Sequence, residues 1–445
     1  MRLWLKNPLA ILADNAGGGL VVENDRIAEL VSAGAQPVLP VDETMDAGAL
    51  IVLPGLVNTH HHFYQTMTRA HPAAINKSLF GWLQALYPIW ARLTPEALTL
   101  ATEVAMIELL MSGVTTTSDH HYLFPGGMED AIDVQVETAR RLGMRVTLTR
   151  GSMSLSVDDG GLPPRSVVQS DEAILRDSER LITRYHDAAP GSFVQIALAP
   201  CSPFSVTPEL MSETAKLAAA HGCRLHTHLA ETEDENEFCL HKFGRRPLDH
   251  LEALGWLGPQ TWLAHGIHFD PSEIGRLGKA GVAVCHCPTS NMLLASGQCH
   301  TLALEEAGSP VGLGVDGSAS NDAGNLMEGV RHALLLNRLR YGADRVTHFD
   351  ALRWATEGSA RCLGRDDIGT LRPGAAADLA LFRLDDSMAT SGAHDPLAAL
   401  VLCGVTRAER VMVGGRWLLW DGMPVGVDLA RLRNAHHELS MRLFG

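Results

Sequence analysis

Short apolar runs alternate with longer helix-like stretches through the middle of the chain. Eight of these runs have the length of a buried strand: residues 51–57, 114–117, 145–149, 194–199, 224–227, 262–264, 282–285 and 311–315. Strands that alternate with helices are typical of parallel βαβ units, and eight units over roughly 300 residues predict an α/β fold, a (β/α)₈ TIM-like barrel. A doubly wound open sheet is the alternative that this pattern leaves open.

Three of the gaps between runs begin with helix-start signals. Thr94 and Thr207 each precede a Pro-Glu pair, and Asp270 precedes Pro-Ser-Glu. Thr and Asp are favoured N-caps and proline suits the first helical turn, so these positions predict helix starts. The two chain ends differ from the middle, because both contain short β-rich runs between Gly and Pro turns.

Histidines and carboxylates follow several of the predicted strands. In a (β/α)₈ barrel the carboxyl ends of the strands form the active-site face. His60 and His62 follow the first strand and, two residues apart, point to the same side. The residues expected at this rim are His60, His62, His228, Glu231, His265 and Asp316.

This set predicts a mononuclear site for a divalent metal ion. Zn²⁺ accepts imidazole and carboxylate ligands and leaves a position for water, whose pKa it lowers from about 15.7 to about 7. A second carboxylate then moves protons. Taken singly, each residue has an ordinary interpretation, a hydrogen-bonded core histidine or a capping aspartate. Their joint occurrence at four strand ends favours the metal site, with Zn²⁺ expected first and Fe²⁺ also suited.

Composition narrows the functional classes. The chain has 445 residues, 46% hydrophobic and 20% charged, which is typical of a folded domain. Its net charge of −15 argues against a nucleic-acid or anionic membrane partner, since both need clustered Lys and Arg. Eight cysteines without a C-x-x-C pair predict reduced thiols and a cytoplasmic location. No run has the features of a signal peptide or a membrane span.

Two further motifs carry less weight. Residues 312–317 match G-x-G-x-x-G, but Asp316 lies inside the motif and would repel a pyrophosphate, which disfavours a nucleotide-dependent oxidoreductase. Cys285, His286 and Cys287 alternate along a strand, so the histidine faces away from both thiols, and we interpret them as an ordinary strand. A non-catalytic metal-binding barrel is disfavoured because binding alone needs no second carboxylate.

Four motifs in order, PGLVNTHHH, HLAE, AHG and GVDGSASN, resemble the mononuclear aminohydrolase branch of the amidohydrolase superfamily. The resemblance runs along nearly the whole chain. It implies a catalytic barrel at residues 53–365 and a small β-sandwich domain made from residues 1–52 and 366–445, the latter ending in a helix.

The same resemblance implies a role for each rim residue. The implied metal ligands are His60, His62, His228 and Asp316. Glu231 corresponds to the proton shuttle, and His265 to the histidine that polarises the attacking water or the developing oxyanion. Binuclear members carry a carbamylated lysine at the end of the fourth strand, and residues 194–202 contain no lysine, which implies one metal ion. His226 matches no role and is interpreted as packing.

A finer resemblance concerns the substrate. The strings HHHFYQTMTRA, GWLQALYPIWARLTPE and TTTSDHHYLFP are similar to those of deaminases that act on 8-oxoguanine. The implied reaction converts the free base and water into urate and ammonia, with Asp316 taking the water proton and Glu231 protonating the ring. Deaminases of guanine, isoxanthopterin, cytosine or S-adenosylhomocysteine and s-triazine hydrolases share the metal residues and remain alternatives.

Residues near the rim are candidates for binding this heterocycle. Gln65 offers an amide, Cys201 follows the fourth strand, and one of His120 and His121 is expected to face the mouth, for which we take His121. The ordinary alternatives are an exposed loop amide for Gln65 and simple packing for Cys201. The aromatic stretch 79–90 either covers the substrate or packs on the barrel. A homo-oligomer is left open.

Overall fold

The computed structural model describes residues 1–385 and 387–445. In chain order its strands are β1 (Arg2–Lys6), β2 (Ala10–Ile11), β3 (Gly19–Glu23), β4 (Arg26–Val31), β5 (Glu43–Asp46), β6 (Leu50–Pro54), β7 (Leu56–Asn58), β8 (Val114–His121), β9 (Arg145–Ser152), β10 (Val194–Pro200), β11 (Arg224–Leu229), β12 (Thr261–His265), β13 (Ala283–His286), β14 (Val311–Leu313), β15 (Leu379–Arg383), β16 (Arg410–Val413), β17 (Arg416–Trp420) and β18 (Met423–Pro424).

Strands β7 to β14 form the predicted barrel. Each pairs in parallel with the next along the chain, giving one eight-stranded sheet. The sheet closes on itself, because the Thr59 amide just after β7 donates to the Leu313 carbonyl of β14 at 3.0 Å. The (β/α)₈ prediction is therefore confirmed and the open sheet is excluded.

Helices fill the gaps between the barrel strands and also follow them. They are α1 (Leu79–Trp90), α2 (Pro95–Met111), α3 (Ala131–Leu142), α4 (Asp171–Tyr185), α5 (Pro208–His221), α6 (Glu233–Phe243), α7 (Pro247–Ala253), α8 (Pro271–Ala280), α9 (Pro288–Leu293), α10 (Thr301–Ala307), α11 (Leu326–Tyr341), α12 (His348–Arg353), α13 (Ser359–Cys362), α14 (Pro396–Leu402) and α15 (Leu429–Phe444). Within the two described ranges, no helix combines the length and the apolar character that crossing a membrane requires.

The three predicted helix starts are confirmed by their caps. The Thr94 and Thr207 side chains accept hydrogen bonds from backbone amides three residues on, at the starts of α2 and α5. Asp270 and Glu273 form a reciprocal capping box at the start of α8. Each cap satisfies amides that the first helical turn leaves without partners.

The two chain ends form two further sheets. One contains β4, β3, β1 and β5 in that order, and the other contains β18, β17, β16, β15, β6 and β2. In the second sheet β6 from the N-terminal end pairs antiparallel with β15 from the C-terminal end, with Leu53 opposite Ala380. A buried apolar cluster that includes Leu20, Val52 and Leu381 lies between the sheets. The two chain ends therefore pair with each other, as their shared pattern of short β-rich runs between Gly and Pro turns indicates.

A buried ion pair joins the barrel to this sheet region. Arg145 on β9 donates to both carboxylate oxygens of Asp378, at 3.0 and 3.2 Å, and each side chain is only 1% exposed. Asp378 also accepts from the Gly414 amide at 2.7 Å, and its carbonyl accepts from the Gly55 amide between β6 and β7. Removing one partner of such a pair leaves a buried charge uncompensated.

The Asp378→Ala variant is therefore expected to be destabilised by about 3–5 kcal/mol, measured by urea denaturation. The matched control is Glu306→Ala, which removes the exposed Arg345–Glu306 pair and should change stability by no more than about 1 kcal/mol. Equal effects of the two variants would show that the Arg145–Asp378 pair does not stabilise this junction.

Candidate metal and catalytic site

The predicted rim residues meet at the carboxyl end of the barrel. His60 and His62 follow β7, His228 lies in β11 and His265 ends β12, while Asp316 follows β14 by three residues. All five side chains are at most 9% exposed. The structure thus brings together side chains that are up to 256 residues apart in sequence, from Asp316 at one end to His60 at the other.

Hydrogen bonds fix which nitrogen of His60 carries the proton. His226 Nδ1 lies 2.8 Å from the Trp262 carbonyl, which only accepts, so this nitrogen is the donor. Burial holds the pKa of His226 well below its usual value, so the ring is neutral and its Nε2 accepts. The Nδ1 of His60, 2.8 Å away, must then donate, which leaves the lone pair on His60 Nε2.

His62 and His228 are held in the same tautomer by backbone carbonyls. His62 Nδ1 donates to the His120 carbonyl and His228 Nδ1 donates to the Cys201 carbonyl, both at 2.7 Å. In the neutral imidazole each Nε2 therefore carries a lone pair. Partners of this kind on the far nitrogen are what orients metal-ligating histidines.

The four candidate ligand atoms converge. The Nε2 atoms of His62 and His228 lie 3.2 Å apart, and Asp316 Oδ1 lies 3.3 Å from the Nε2 atoms of both His60 and His62. Electron pairs packed this closely with no proton between them repel one another unless a cation lies among them. The donor set of three imidazoles and one carboxylate therefore fits a divalent metal ion.

Burial favours the neutral form of two of these histidines, His228 and His60, as metal ligation requires. It lowers the pKa of His228 to about 3, with the neighbouring His62 and His265 acting in the same direction. Burial likewise holds the pKa of His60 well below its usual value, although Asp316 opposes the effect. These rings are available as ligands across the neutral pH range.

His120 and His121 face opposite sides of β8. His120 lies against the ligand histidines, stacked on the His228 ring with centroids 4.7 Å apart, and its Nε2 donates to the Ala199 carbonyl at 2.9 Å. His121 instead packs edge-on against Tyr64 and Phe124 and does not line the cavity. Of the two histidines, His120 is thus the one beside the ligand histidines, and neither His120 nor the predicted His121 lines the cavity.

Glu231 lies beside the ligand set as a buried carboxyl group. Its Oε2 is 3.4 Å from His265 Nε2, and its Oε1 accepts from the Ser296 hydroxyl at 3.3 Å. Burial, with the nearby charges of Asp316 and Glu235, raises the pKa of Glu231 well above its usual value. A raised pKa favours the protonated form of the carboxyl group and suits it to act as a general acid.

His265 is held in the opposite tautomer to the ligand histidines. With the amide oriented as in the structure, Asn291 Nδ2 donates to His265 Nδ1 at 3.1 Å. Burial lowers the pKa of His265 to about 4, so the ring is neutral and its proton lies on Nε2, which faces Glu231. His265 therefore offers a hydrogen-bond donor to an oxygen atom, as its predicted role requires.

A cavity opens over these groups. It is lined by His62, Gln65, Leu79, Trp82, Leu83, Tyr87, Tyr122, Cys201, Phe204, His228, Glu231, His265, Leu294, Asp316 and Ser320. Both Gln65 and Cys201 are therefore at the cavity. Helix α1 supplies four of the lining residues and is tied down by Trp82 Nε1, which donates to the Ala319 carbonyl at 2.9 Å. Of the two interpretations of stretch 79–90, the structure favours covering the cavity.

Sequence reasoning missed His226, which was interpreted as packing. Its ring stacks on Trp262 with centroids 4.3 Å apart while its Nε2 accepts from His60. The available signal was its position two residues before His228 on the same strand, which places both rings on one face.

The His226→Phe variant is expected to bind zinc about 10–100-fold more weakly, because phenylalanine keeps the ring on Trp262 but no longer accepts from His60. Competition with a chromogenic chelator measures this affinity. The control is His286→Phe, a change at another fully buried barrel histidine. If both variants bind zinc like the unmodified protein, His226 does not hold His60 in place.

Comparison with known proteins agrees with the geometry of the site. Residues 51–418 match the model of the amidohydrolase family. The chain is 62% identical to 8-oxoguanine deaminase of Pseudomonas aeruginosa over 99% of both proteins. It is 34% identical to isoxanthopterin deaminase of an unknown prokaryotic organism, over 90% of this chain and 87% of that protein. The crystal structure of a zinc-complexed atrazine chlorohydrolase from Arthrobacter aurescens superposes with a TM-score of 0.92 at 32% identity, covering both chains completely.

Proposed function

The chain belongs to the amidohydrolase family, and on that basis we propose that it is a hydrolytic deaminase that converts free 8-oxoguanine and water into urate and ammonia. The substrate assignment is supported by the 62% identity to an 8-oxoguanine deaminase over 99% of both chains. The chemistry is supported by one observation above all. A buried carboxyl group with a raised pKa, Glu231, lies beside the converging candidate ligand atoms.

One divalent ion, zinc by analogy with the zinc-complexed neighbour, would be held by His60, His62, His228 and Asp316. When bound, the ion supplies Lewis acidity that lowers the pKa of water toward neutrality. The end of β10 provides no lysine to bridge a second ion. The site is accordingly mononuclear.

The carboxyl groups divide the proton transfers. Asp316 accepts a proton from water as its oxygen attacks the carbon that bears the amino group, and Glu231 protonates the adjacent ring nitrogen. His265 donates a hydrogen bond from its Nε2–H to the attacking oxygen and transfers no proton. Asp316 then returns its proton to the amino group, which leaves as ammonia, and Glu231 recovers a proton from the new hydroxyl group. Both carboxyl groups end in their starting states.

The ring is bound by polar groups of the cavity wall. Gln65 is fully buried, its Oε1 accepts from the Ala319 amide at 3.3 Å, and its Nε2 has no partner among the described residues. The free Nε2–H donor suits a carbonyl oxygen of the base. Cys201, which follows β10, lines the same cavity. The location of His121 outside the cavity removes it from this set.

Three further predictions are retained from the sequence. We keep the division into residues 1–52, 53–365 and 366–445, whose first boundary lies within β6, close to the Gly55 link between β6 and β7. A cytoplasmic location stays a prediction, as does the absence of nucleic-acid and membrane partners. The assembly state is left open between a monomer and a homo-oligomer.

Ammonia release across a panel of free heterocycles tests the substrate assignment. The panel contains 8-oxoguanine, guanine, isoxanthopterin, cytosine and an amino-s-triazine, and we expect the highest kcat/KM with 8-oxoguanine, together with urate as product. Activity on isoxanthopterin alone would overturn the substrate and leave the deaminase class intact. A zinc-loaded protein that releases ammonia from none of them would contradict the proposed function.

The Glu231→Gln variant is expected to retain about one metal ion per chain and to lose about 10²–10⁴-fold in kcat, since glutamine cannot transfer the proton. Metal analysis and steady-state kinetics on the same sample measure both quantities. The contrasting variant is Asp316→Asn, which should lose metal as well as rate. A near-normal rate for Glu231→Gln would remove this residue from the mechanism.

A further inference from the structure

Glu235 makes an unusual contact at the start of α6. A glutamate at the third position of a helix ordinarily bonds the N-cap amide, as Glu273 does on α8. Glu235 occupies that position on α6 and reaches further back. Its Oε1 accepts from the Ala230 amide at 3.0 Å and its Oε2 from the Glu231 amide at 3.1 Å. One carboxylate thus holds two successive amides, the second of them belonging to the proposed proton shuttle.

The turn held in this way is a strained one. Ala230 has φ of +53°, a left-handed conformation that costs a non-glycine residue of order 1–3 kcal/mol. β11 ends at Leu229, so this turn changes the chain direction immediately before Glu231 and sets where its side chain points. A residue in this conformation persists only where its surroundings hold it.

The other side of the same turn is fixed to the loop that follows His265. The Ala230 carbonyl accepts from the amides of Ile267 and His268, both at 2.9 Å. The Gly266 amide donates to Leu229 at 3.1 Å. The Glu235 carboxylate and the loop after β12 therefore hold the turn from opposite sides, which couples the position of Glu231 to that of His265.

Glu235 is costly to bury. Its side chain is fully buried, and it forms no ion pair with a basic side chain in the part of the chain that the structure describes. Burial raises the pKa of Glu235 to about 7, although the two backbone hydrogen bonds oppose the effect. A buried carboxyl group without an ion pair lowers the stability of the fold unless its hydrogen bonds compensate. We therefore expect Glu235 to serve the geometry of the turn that it holds and not the stability of the fold.

We infer that Glu235 is a positioning residue, whose carboxylate holds the Ala230 turn so that the Glu231 carboxyl group lies against His265 and the substrate. The inference rests on the proposed role of Glu231 and names no new contact with the substrate. It predicts that a change at Glu235 affects catalysis only through Glu231.

The first test is Glu235→Gln, measured on zinc-loaded protein with the best substrate of the panel. Glutamine keeps one acceptor, but its NH₂ group faces an amide that also donates, so one hydrogen bond is lost. We expect kcat to fall by about 10²-fold, the effect of misplacing a catalytic group by about 1 Å. KM and zinc content should stay near those of the unmodified protein.

The matched control is Asp133→Asn, which alters another buried carboxylate at the third position of a barrel helix, away from the cavity and from the Ala230 turn. It should lower the thermal midpoint and leave kcat unchanged. If Glu235→Gln yields no folded protein, Glu235→Asp decides the question, because the shorter carboxylate keeps the charge but does not reach both amides. An unchanged kcat in the folded variant would overturn the inference.

A double-variant cycle separates positioning from a general structural role. In a Glu231→Gln background, Glu235→Gln should cause no further loss of kcat, since the group that it positions is already gone. A further loss of kcat equal to the loss that Glu235→Gln causes in the unmodified protein would show that Glu235 acts on the whole site. Full activity of Glu231→Gln alone would instead remove Glu231 from the mechanism, and unmodified protein that releases no ammonia would contradict the proposed function, so these failures are distinguishable from failure of the inference.

Discussion

Repulsion among four electron-pair donors is the constraint on which the site depends. Three imidazole nitrogens and one carboxylate oxygen meet at the barrel mouth with neighbouring atoms 3.2–3.3 Å apart. Each imidazole is held with its lone pair inward, by a carbonyl in two cases and by His226 in the third. The protein thus builds a cluster that a divalent cation stabilises, and it fixes the tautomers by hydrogen bonds made on the far side of each ring.

The catalytic groups lie at the same barrel rim as the metal ligands, but they present hydrogen-bond donors instead of lone pairs. His265 presents an N–H where the ligand histidines present lone pairs, and the pKa of Glu231 is raised, which favours its protonated form, whereas Asp316 is a candidate ligand. Three non-glycine residues at this rim have a left-handed backbone, namely Ala230, His265 and Asp316. Such strain concentrates at functional sites because the surrounding structure holds it there. In this molecule the buried Glu235 carboxylate is one of the groups that does so.

Much of the fold and the site was predictable from the sequence. The resemblance to the amidohydrolase superfamily is confirmed by the family match. Each of the eight apolar runs contributes to a barrel strand, although the first run, residues 51–57, is divided between β7 of the barrel and β6 of a chain-end sheet. Alternation along β8 predicted that one of His120 and His121 faces inward, but not which one. That choice depends on strand register, which shifts by a bulge between Leu56 and Val57. The spacing of His226 from His228 places both rings on one face, but it does not show that His226 bonds His60. The reach of Glu235 past its own N-cap has no periodic signal, because it depends on side-chain conformation and a local turn.

The central claim is that one ion is bound by three imidazoles and a carboxylate. X-ray absorption spectroscopy of the zinc-loaded protein tests it most directly, because it reports the number and type of atoms around the metal. The account predicts a single zinc per chain with about three nitrogen ligands at about 2.0–2.1 Å, oxygen completing the shell, and no metal–metal scattering. A sulfur ligand at about 2.3 Å, or a second metal nearby, would contradict it.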